Sequence, residues 1–429
     1  MTGVFTTLPG LLLLPYLTDT LGTSAVLAGT AVLLPKAWDV LLTPWAGRRG
    51  DRSPRTGAQL SHLTYGGLAS ALAFLLTFAG FAHGGAGALW TTLAFTLAAT
   101  AFAFFHASYA ALPALLAPGQ EARTRLVAGR VAGIAVAALV AGAATPALIN
   151  ATGGGLAGHR WAGVAGAAVI TAATLAVRRT VTATGPTAPA RPSYAEHPHP
   201  WTVLRTTPRF APLVACAALQ VVATGCLLAG GPYFAEHALN NANLTGTLVA
   251  AFVLPNLVLT SWWVRRSRGP GGHRAVLRQA TLLFSGGCLL LAATPALPAA
   301  APVVLLVVGT GHAGQLLSLY AMLAEECAAA GAAGRAAGTL SGLFGSAESL
   351  GLATGPFLYA LALQCTGYTS SATGRAAGQS TLAHAGIIAG MTLLPALAAL
   401  AGLAVLSRHS PARPALDPAT VQPSAQAGL

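Results

Sequence analysis

The sequence is poor in charged residues. Only 8% of its 429 residues are Asp, Glu, Lys or Arg, whereas a soluble globular domain carries about 25%. Hydrophobic residues make up 54% of the chain. Because so few polar side chains are available, they could not keep the outside of a water-soluble fold hydrated. The composition therefore excludes an ordinary soluble protein and predicts a polytopic membrane protein.

Lysine is almost absent. Lys36 is the only one, and the other 22 basic residues are arginines. The formal net charge of +13 would suit a nucleic-acid partner, but the arginines lie in short loops between apolar runs, where they act as topology signals. No basic amphipathic segment with interleaved aromatic residues accompanies them. The sequence thus predicts a lipid bilayer as its surroundings and no nucleic-acid partner.

Signatures of metal, redox and enzyme chemistry are missing as well. The five cysteines are scattered through apolar segments without CxxC or disulfide-like spacing, which is typical of small core residues. The sequence contains no P-loop, no dinucleotide-binding fingerprint and no GxSxG. We therefore expect no enzyme, no metal site and no cofactor. Any transport would draw on an ion gradient or on the substrate's own gradient.

Apolar segments dominate what is present. About twelve of them approach the roughly 20 residues that a transmembrane helix requires. They cover residues 3–18, 25–46, 59–82, 88–116, 126–150, 161–177, 210–235, 246–264, 276–296, 301–325, 336–364 and 382–407. The first has neither a charged n-region nor a small-residue cleavage site, so it is not read as a signal peptide. This span is short and begins almost at Met1, which leaves two explanations: a start codon assigned too late, or a shortened first helix. We expect an all-α fold of about twelve transmembrane helices.

Loop arginines predict the orientation. One set of alternate loops, with the C-terminal tail, holds nearly all of them: Arg48, Arg49, Arg52, Arg55, Arg123, Arg125, Arg178, Arg179, Arg191, Arg205, Arg209, Arg265, Arg266, Arg268, Arg274, Arg278, Arg335, Arg408 and Arg413. The opposite loops hold only Arg160 and Arg375. Since positive loops stay on the cytoplasmic side, both termini are predicted to be cytoplasmic, in a multi-pass protein of the cytoplasmic membrane.

The longest polar segment divides the chain into two halves. Residues 178–209 are rich in proline and polar residues, which marks a cytoplasmic linker. It separates a six-helix bundle over 1–177 from another over 210–407, and the tail 408–429 is predicted to be disordered. This is the layout of major facilitator transporters, although other twelve-helix carriers share it. We expect a monomer.

The segment from Lys36 to Gly57 is the most informative. It places Lys36 and Asp39 inside an apolar run, where a charge costs roughly 2.5 kcal/mol or more and usually has a function. The loop that follows contains Gly47-x-x-x-Asp51-Arg52, which resembles the helix 2–3 loop signature of the major facilitator superfamily. The resemblance implies a gating role for Gly47, Asp51, Arg52 and Arg55. The alternative is that these charges only set topology.

Further motifs resemble a narrower family, the glycoside–pentoside–hexuronide:cation symporters that include melibiose permease. Between residues 14 and 368 they occur in the family's order: Tyr16-Leu-Thr-Asp19-Thr-Leu-Gly22, Trp38-Asp39, Arg123-Thr-Arg125-Leu-x-x-x-Arg130, Tyr320-Ala-Met-Leu-Ala-Glu325, Gly334-Arg335-Ala-Ala-Gly338 and Gly367-Tyr368. The resemblance implies the major facilitator fold and cation-coupled transport of a small solute.

Departures from that family are as informative as the matches. The second carboxylate of helix two is replaced by Thr43, which makes a sodium site doubtful. A lone buried Asp39 can still bind and release a proton. The acidic sugar ligands of helices one and four correspond to Gly3 and Phe105, and the adjacent aromatic residue to Tyr109. The resemblance, so modified, favours proton coupling over sodium and a solute other than melibiose.

The remaining candidate residues are polar groups within apolar segments. The coupling group is Asp39, with Lys36 and Thr43. Its alternative role is that of a buried partner of Lys36, which lies three residues away on one helix face. The candidate substrate contacts are Arg130, Tyr109, His106, Glu348 and Asp19. Arg130 could instead snorkel to the interface, and His106 could be a core residue. Asp19, at the outer end of the first helix, could be an outer-gate residue or a helix-end or loop charge. Glu325 and Arg335 are predicted gate contacts.

Together these observations predict a secondary active transporter that works by alternating access. The leading hypothesis is proton-coupled movement of a small organic solute, with sugar-like molecules among the candidates. One alternative is export of a small metabolite or drug-like compound. A hypothesis from another class is a transporter-derived membrane sensor or a lipid-handling protein. The sequence leaves the substrate and the direction of transport open.

Overall fold

The structure is a computed structural model that describes residues 1–51, 56–116, 120–184, 210–332, 337–372 and 377–408. These residues form thirteen α-helices and no strand. The helices are α1 (Thr2–Pro15), α2 (Ala25–Asp51), α3 (Thr56–Thr77), α4 (Gly84–Leu116), α5 (Gln120–Ala151), α6 (Gly155–Thr184), α7 (Phe210–Tyr233), α8 (Leu244–Val258), α9 (Thr260–Ser267), α10 (Gly272–Leu290), α11 (Ala301–Ala332), α12 (Ala337–Cys365) and α13 (Thr381–Arg408).

The prediction of an all-α polytopic protein is confirmed. The α8 and α9 helices are bent by 46° against each other, so together they correspond to the single span predicted over 246–264. Within the described residues, eight helices are long and apolar enough to cross a membrane, or nine if the bent pair counts as one span. The α6 helix continues to Thr184, into the predicted linker. Residues 185–209 and the tail from 409 onwards lie outside the described residues.

Helices form here because hydrocarbon offers no alternative partner for backbone groups. Polar side chains follow the same rule by bonding to their own helix. In α4, the hydroxyls of Thr92, Thr96 and Thr100 donate to the carbonyl oxygens four residues earlier, at 2.7, 2.7 and 2.8 Å. These bonds satisfy the threonine side chains inside an otherwise apolar helix.

The two halves repeat one packing pattern. In the N half (α1–α6), α1 packs on α5, α2 on α4, and α3 on α4 and α6. In the C half (α7–α13), α7 packs on α12, α8 on α11, and α10 on α11 and α13. Each contact of the first set has its counterpart in the second. Such parallel repeats characterise the two halves of major facilitator proteins.

The repeat extends to a pair of π-helical turns. Residues Tyr16–Thr20 continue α1, and residues Phe234–Ala238 continue α7. Two residues after each turn the chain takes a left-handed backbone conformation, at Gly22 (φ 69°) and at Asn240 (φ 53°). Left-handed conformations are tolerated best by glycine and next by asparagine. We call the end of the bundle that carries these turns the turn end, and the opposite end, with Thr2 and Arg408, the terminal end.

The halves meet through small residues, chiefly where α2 contacts α12, α5 contacts α8 and α1 contacts α7. A Cβ atom built on Gly29 would lie 2.7 Å from Cβ of Ala360, and one on Gly246 would lie 2.6 Å from the carbonyl oxygen of Ala143. Nearer the turn end, Asn150 Nδ2 donates to Asn243 Oδ1 at 2.8 Å. The two halves are therefore in close contact toward the turn end.

Glycine is also required where α7 crosses α12 inside the C half. A Cβ atom on Gly355 would lie 2.5 Å from the carbonyl oxygen of Val222 and 2.6 Å from the amide nitrogen of Cys226. Because both neighbours are backbone atoms, neither can yield without moving a helix.

We expect Gly355→Ala to destabilise the protein by about 1–3 kcal/mol, the usual cost of overpacking. Gly342→Ala is the matched control, since Gly342 lies on the same helix and a Cβ there meets nothing within 4 Å. Thermal unfolding of the detergent-solubilised protein measures the difference. Equal melting temperatures for the two variants would contradict the close crossing of α7 and α12.

Candidate functional site

Lys36 and Asp39 lie one turn apart on α2, and both are buried, at 9% and 8% exposure. The Lys36 ammonium is 5.5 Å from the ring centroid of Phe5 on α1 and 5.9 Å from that of Phe95 on α4. Both distances suit cation–π attraction. The carboxylate of Asp39 lies within electrostatic range of the same ammonium. The cation is therefore held by two aromatic faces and one negative charge.

This arrangement matches the expectation that the two charges of α2 lie together. It adds the two phenylalanines, which sequence reasoning did not identify, because nothing in their spacing distinguishes them from other core aromatics. Phe5 stacks on Phe102 with ring centroids 4.1 Å apart. The aromatic core of the N half thus forms the walls around the buried cation.

A pocket of about 260 Å³ lies toward the terminal end of the N half, between α1, α4, α5 and α6. Its lining consists of Met1, Thr2, Gly3, Phe105, Tyr109, Gly133, Ile134, Ala173 and Val177. The Tyr109 ring stacks on that of Phe105, with centroids 5.5 Å apart and an interplanar angle of 15°. The structure brings together Gly3, Phe105 and Tyr109, the three positions at which the family resemblance implies sugar ligands.

Gly3 is required at this pocket for a steric reason. A Cβ atom on Gly3 would lie 2.5 Å from the carbonyl oxygen of Ile134 and 2.9 Å from Cβ of Ala137, both on α5. The absence of a side chain lets α1 pack directly against α5. A carboxylate at this position, as the resemblance implies for sugar-binding relatives, would require the helices to separate.

His106 and Tyr109 do not share one environment. Tyr109 lines the pocket, whereas the His106 ring lies beside Phe102, with centroids 5.5 Å apart, and is not among the pocket-lining residues. Tyr109 therefore lines this pocket, while the His106 ring lies beside Phe102, and the substrate roles of both residues stay predictions.

In the C half, Glu348 on α12 is joined to α11. The hydroxyl of Tyr320 donates to Glu348 Oε2 at 2.9 Å. Tyr320 is 49% exposed and its ring lies 5.6 Å from that of Phe344. Tyr320 is a site residue that sequence reasoning used only as part of a family motif. Its pairing with Glu348, 28 residues away, has no local signal in the sequence.

Other predicted positions are distributed as follows. Asp19 lies at the turn end, where Tyr368 donates a hydrogen bond to it, and Glu325 is exposed on α11. Seven predicted positions lie wholly or partly outside the described part of the chain. They are Arg52, Arg55 and Arg335 as whole residues, the side chains of Thr43, Asp51 and Arg130, and the surroundings of Gly47. Their roles in coupling, gating and substrate binding stay predictions.

We expect Lys36→Met to destabilise the protein strongly, because it leaves Asp39 buried without its cation, a loss of about 3–5 kcal/mol in comparable buried pairs. The double variant Lys36→Met/Asp39→Asn removes both charges and should recover at least half of the loss. Thermal unfolding of the four proteins completes a double-mutant cycle. Additive effects of the two substitutions would show that the charges do not interact.

Comparisons with known proteins agree on the class of fold. The chain aligns over 95% of its length with a bacterial homologue of the human lysosomal transporter Spinster in an inward-facing and occupied conformation, at TM-score 0.69, 14% identity and 93% coverage of that chain. A variant of the nucleoside transporter NupG aligns over 94% of this chain and 97% of its own, at TM-score 0.67 and 14% identity. No curated protein matches the sequence.

At this identity the structural likeness establishes the fold alone. The sequence itself matches the family model described as MFS/sugar transport protein over residues 1–410. That match covers both repeated halves and every described helix. The relatives named by these comparisons are transporters rather than enzymes. This chain belongs to the MFS/sugar transport protein family of the major facilitator superfamily.

Proposed function

We propose that this protein is a secondary active transporter that moves a small organic solute across the cytoplasmic membrane by alternating access, coupled to protons. Family membership and the two repeated halves support transport as the activity. The observation that carries the proposal furthest is the pocket lined by Gly3, Phe105 and Tyr109. It lies in the N half, whose helix α2 also holds the buried Lys36 and Asp39.

The lining of the pocket restricts the class of solute that can bind there. No carboxylate occurs among the described lining residues, so the acidic groups that would bind sugar hydroxyls are missing from this wall. The stacked rings of Phe105 and Tyr109 instead offer an aromatic face. Aromatic faces bind flat or apolar groups well. We therefore propose a solute with a planar or apolar ring and few hydroxyls.

Asp39 is the proposed coupling group. A sodium ion prefers several hard oxygen ligands, and the second carboxylate that the family resemblance implies is replaced by Thr43. A proton needs a single basic oxygen, which Asp39 provides. Lys36 compensates the carboxylate when the proton has left, so the group does not face an uncompensated charge in hydrocarbon. Glu348, bonded to Tyr320, is the proposed polar contact of the C half.

The conformation fits one step of the transport cycle. The contacts between the halves described above lie toward the turn end. With both termini in the cytoplasm, as the arginine distribution predicts, the turn end faces outward. The structure then corresponds to a state closed to the outside. This orientation is part of the proposal.

A thermal-shift screen of the purified protein identifies the solute class. Sugars, nucleosides and amphiphilic aromatic compounds are tested at two pH values, with and without sodium. We expect aromatic or apolar ring compounds to raise the melting temperature, since a ligand stabilises the state that binds it. Stabilisation by sugars alone, and only in sodium, would contradict both the solute class and the coupling ion.

Tyr109→Ala should weaken binding of the best compound by about tenfold, the effect of losing roughly 1.4 kcal/mol of ring contact. Tyr109→Phe keeps the ring and should bind within about threefold of the wild type. Tyr65→Ala is the control for loss of a tyrosine, because Tyr65 is 72% exposed on α3 and lies outside the pocket. If Tyr109→Ala binds like the wild type, the pocket is not the solute site.

Asp39→Asn should abolish proton movement that accompanies solute, while solute exchange across the membrane continues. The asparagine keeps the size of the side chain and cannot carry a proton between the two faces. Proteoliposomes with a trapped pH-sensitive dye measure proton flux, and labelled solute measures exchange. Asp417→Asn, in the C-terminal tail, is the control for loss of a carboxylate. Unchanged pH-gradient-driven transport in Asp39→Asn would rule out coupling through this residue.

A further inference from the structure

A chain of three polar side chains joins the halves at the turn end, away from the pocket and from Lys36. The hydroxyl of Tyr368 donates to Asp19 Oδ1 at 2.7 Å, and His237 Nε2 lies 3.2 Å from the same hydroxyl. A phenol has one hydrogen to donate. While Tyr368 donates it to Asp19, the His237 Nε2 must carry a hydrogen and donate to the Tyr368 oxygen. Asp19 belongs to the N half, whereas Tyr368 and His237 belong to the C half.

A second bridge beside the first joins two hydroxyls. The hydroxyls of Thr18 and Tyr233 are 2.6 Å apart, and the backbone nitrogen of Ser371 donates to the Thr18 carbonyl oxygen at 3.0 Å. Tyr233 is 2% exposed and Tyr368 8%. Both tyrosines come from the C half and both contact the π-turn that follows α1. The first bridge therefore ends on the carboxyl itself, and the second ends on a hydroxyl that also bonds to that carboxyl.

Loss of water contact and one neighbouring charge favour the neutral form of Asp19. Asp19 is half-buried, one residue beyond the apolar span assigned to the first helix, and desolvation raises the pKa of its carboxyl to about 7. The negative charge of Glu236 acts in the same direction, while the hydrogen bonds from Tyr368 and Thr18 oppose it. The other titratable neighbours of this region are Tyr233, Tyr359, His237, His384, His159 and Arg160.

The basic residues Arg160, His159 and His384 lie near the π-turn that follows α1, and each bonds to a group other than Asp19. Arg160 Nε donates to the carbonyl oxygen of Ala79 at 2.8 Å. His159 Nδ1 lies 2.8 Å from the Gly155 carbonyl oxygen and 3.3 Å from the Thr20 hydroxyl. His384 Nδ1 lies 3.1 Å from the Ser380 carbonyl oxygen. The C-half group that contacts Asp19 is thus the Tyr368 hydroxyl and not a cation.

We propose that Asp19 is a proton-binding site, separate from Asp39, whose occupation closes the turn end of the transporter. With the proton bound, the neutral carboxyl can be enclosed between the halves against Tyr368. Without it, the carboxylate favours water and the halves separate at this end. This proposal rests on the contact between the halves and not on the coupling role of Asp39 or on the identity of the solute.

The direction of the pH effect follows from linkage. In an open turn end, Asp19 faces water and has an ordinary pKa of about 3.9, whereas in the closed form its pKa is about 7. The closed form therefore binds more protons between these values. Closure is favoured fully below the lower pKa, and this advantage is lost as the pH rises through the higher one. The closed-to-open ratio changes by at most about tenfold per pH unit in this window.

The test measures a distance between the halves at the turn end. Spin labels are attached at Ala86 and Thr381, which are exposed at the first residues of α4 and α13, after Cys327 and Cys365 are replaced by serine. The full-length protein in nanodiscs, without solute, is studied from about pH 5 to about pH 8, a range that spans the expected midpoint. We expect the ratio of the short-distance to the long-distance population to grow by at least about tenfold as the pH falls.

Asp19→Asn should hold the turn end closed at every pH, because the amide is neutral and fits the same space. A wild-type pH response in Asp19→Asn would overturn the proposal. His237→Gln keeps an N–H donor toward Tyr368 and should keep the pH response. If His237→Gln abolishes the response while Asp19→Asn retains it, the imidazole binds the proton and the proposal is wrong.

The two tyrosines give a matched pair of variants. Tyr368→Phe removes a hydrogen bond to the carboxyl that favours the ionised form, so it should extend the pH range over which the closed-to-open ratio changes to higher pH. Tyr233→Phe removes an interhalf bond of nearly equal length that ends on Thr18. It should lower the closed-to-open ratio by about the same factor at every pH and leave that pH range in place. Equal shifts of the pH range in both variants would show that the response is not that of Asp19.

Discussion

The cost of an uncompensated charge in hydrocarbon governs this molecule more than any other constraint. Nearly all arginines lie near the ends of helices or between the apolar spans, and the middle parts of the membrane helices contain very few ionisable groups. Those that remain are placed against specific partners. Lys36 lies against two aromatic rings and near Asp39, and Glu348 accepts a bond from Tyr320. Threonines bond to the carbonyls of their own helix. Each solution keeps a polar group from facing lipid alone.

Small residues determine how closely the helices pack, because they let helices approach until backbone atoms touch. Gly29, Gly246 and Gly355 each leave no room for a Cβ atom. At Gly29 and Gly246 the neighbour belongs to the other half of the protein. Such contacts have no long side chains to interlock, which suits the separation of the halves that the proposed alternating access requires. The interface toward the turn end therefore combines close packing with a small number of directional hydrogen bonds.

The fold could be predicted well from the sequence and the site only in part. Apolar runs of membrane length predict helices directly, and the structure places a helix in each predicted span. The pairing of Lys36 with Asp39 follows from helix periodicity. Contacts between distant segments could not be predicted, since Phe5 with Lys36 and Tyr320 with Glu348 depend on tertiary packing. His106 shows the same limit: its spacing from Tyr109 places both on one helix face, but its ring lies beside Phe102 and Tyr109 lines the pocket.

The two aspartates of the N half differ in what compensates their charge, and this difference separates their proposed roles. Asp39 has its cation, Lys36, on the same helix, and the rings that hold Lys36 also belong to the N half. In the proposed cycle those partners move together, so rocking of the halves would change the access of water to Asp39 more than it changes the residues around Asp39. The partner of Asp19 belongs to the C half and would leave when the turn end opens. A charge compensated within one half can exchange protons without driving motion. A charge enclosed between the two halves cannot exchange protons without driving motion, because the free energy of its ionisation depends on whether the halves are in contact.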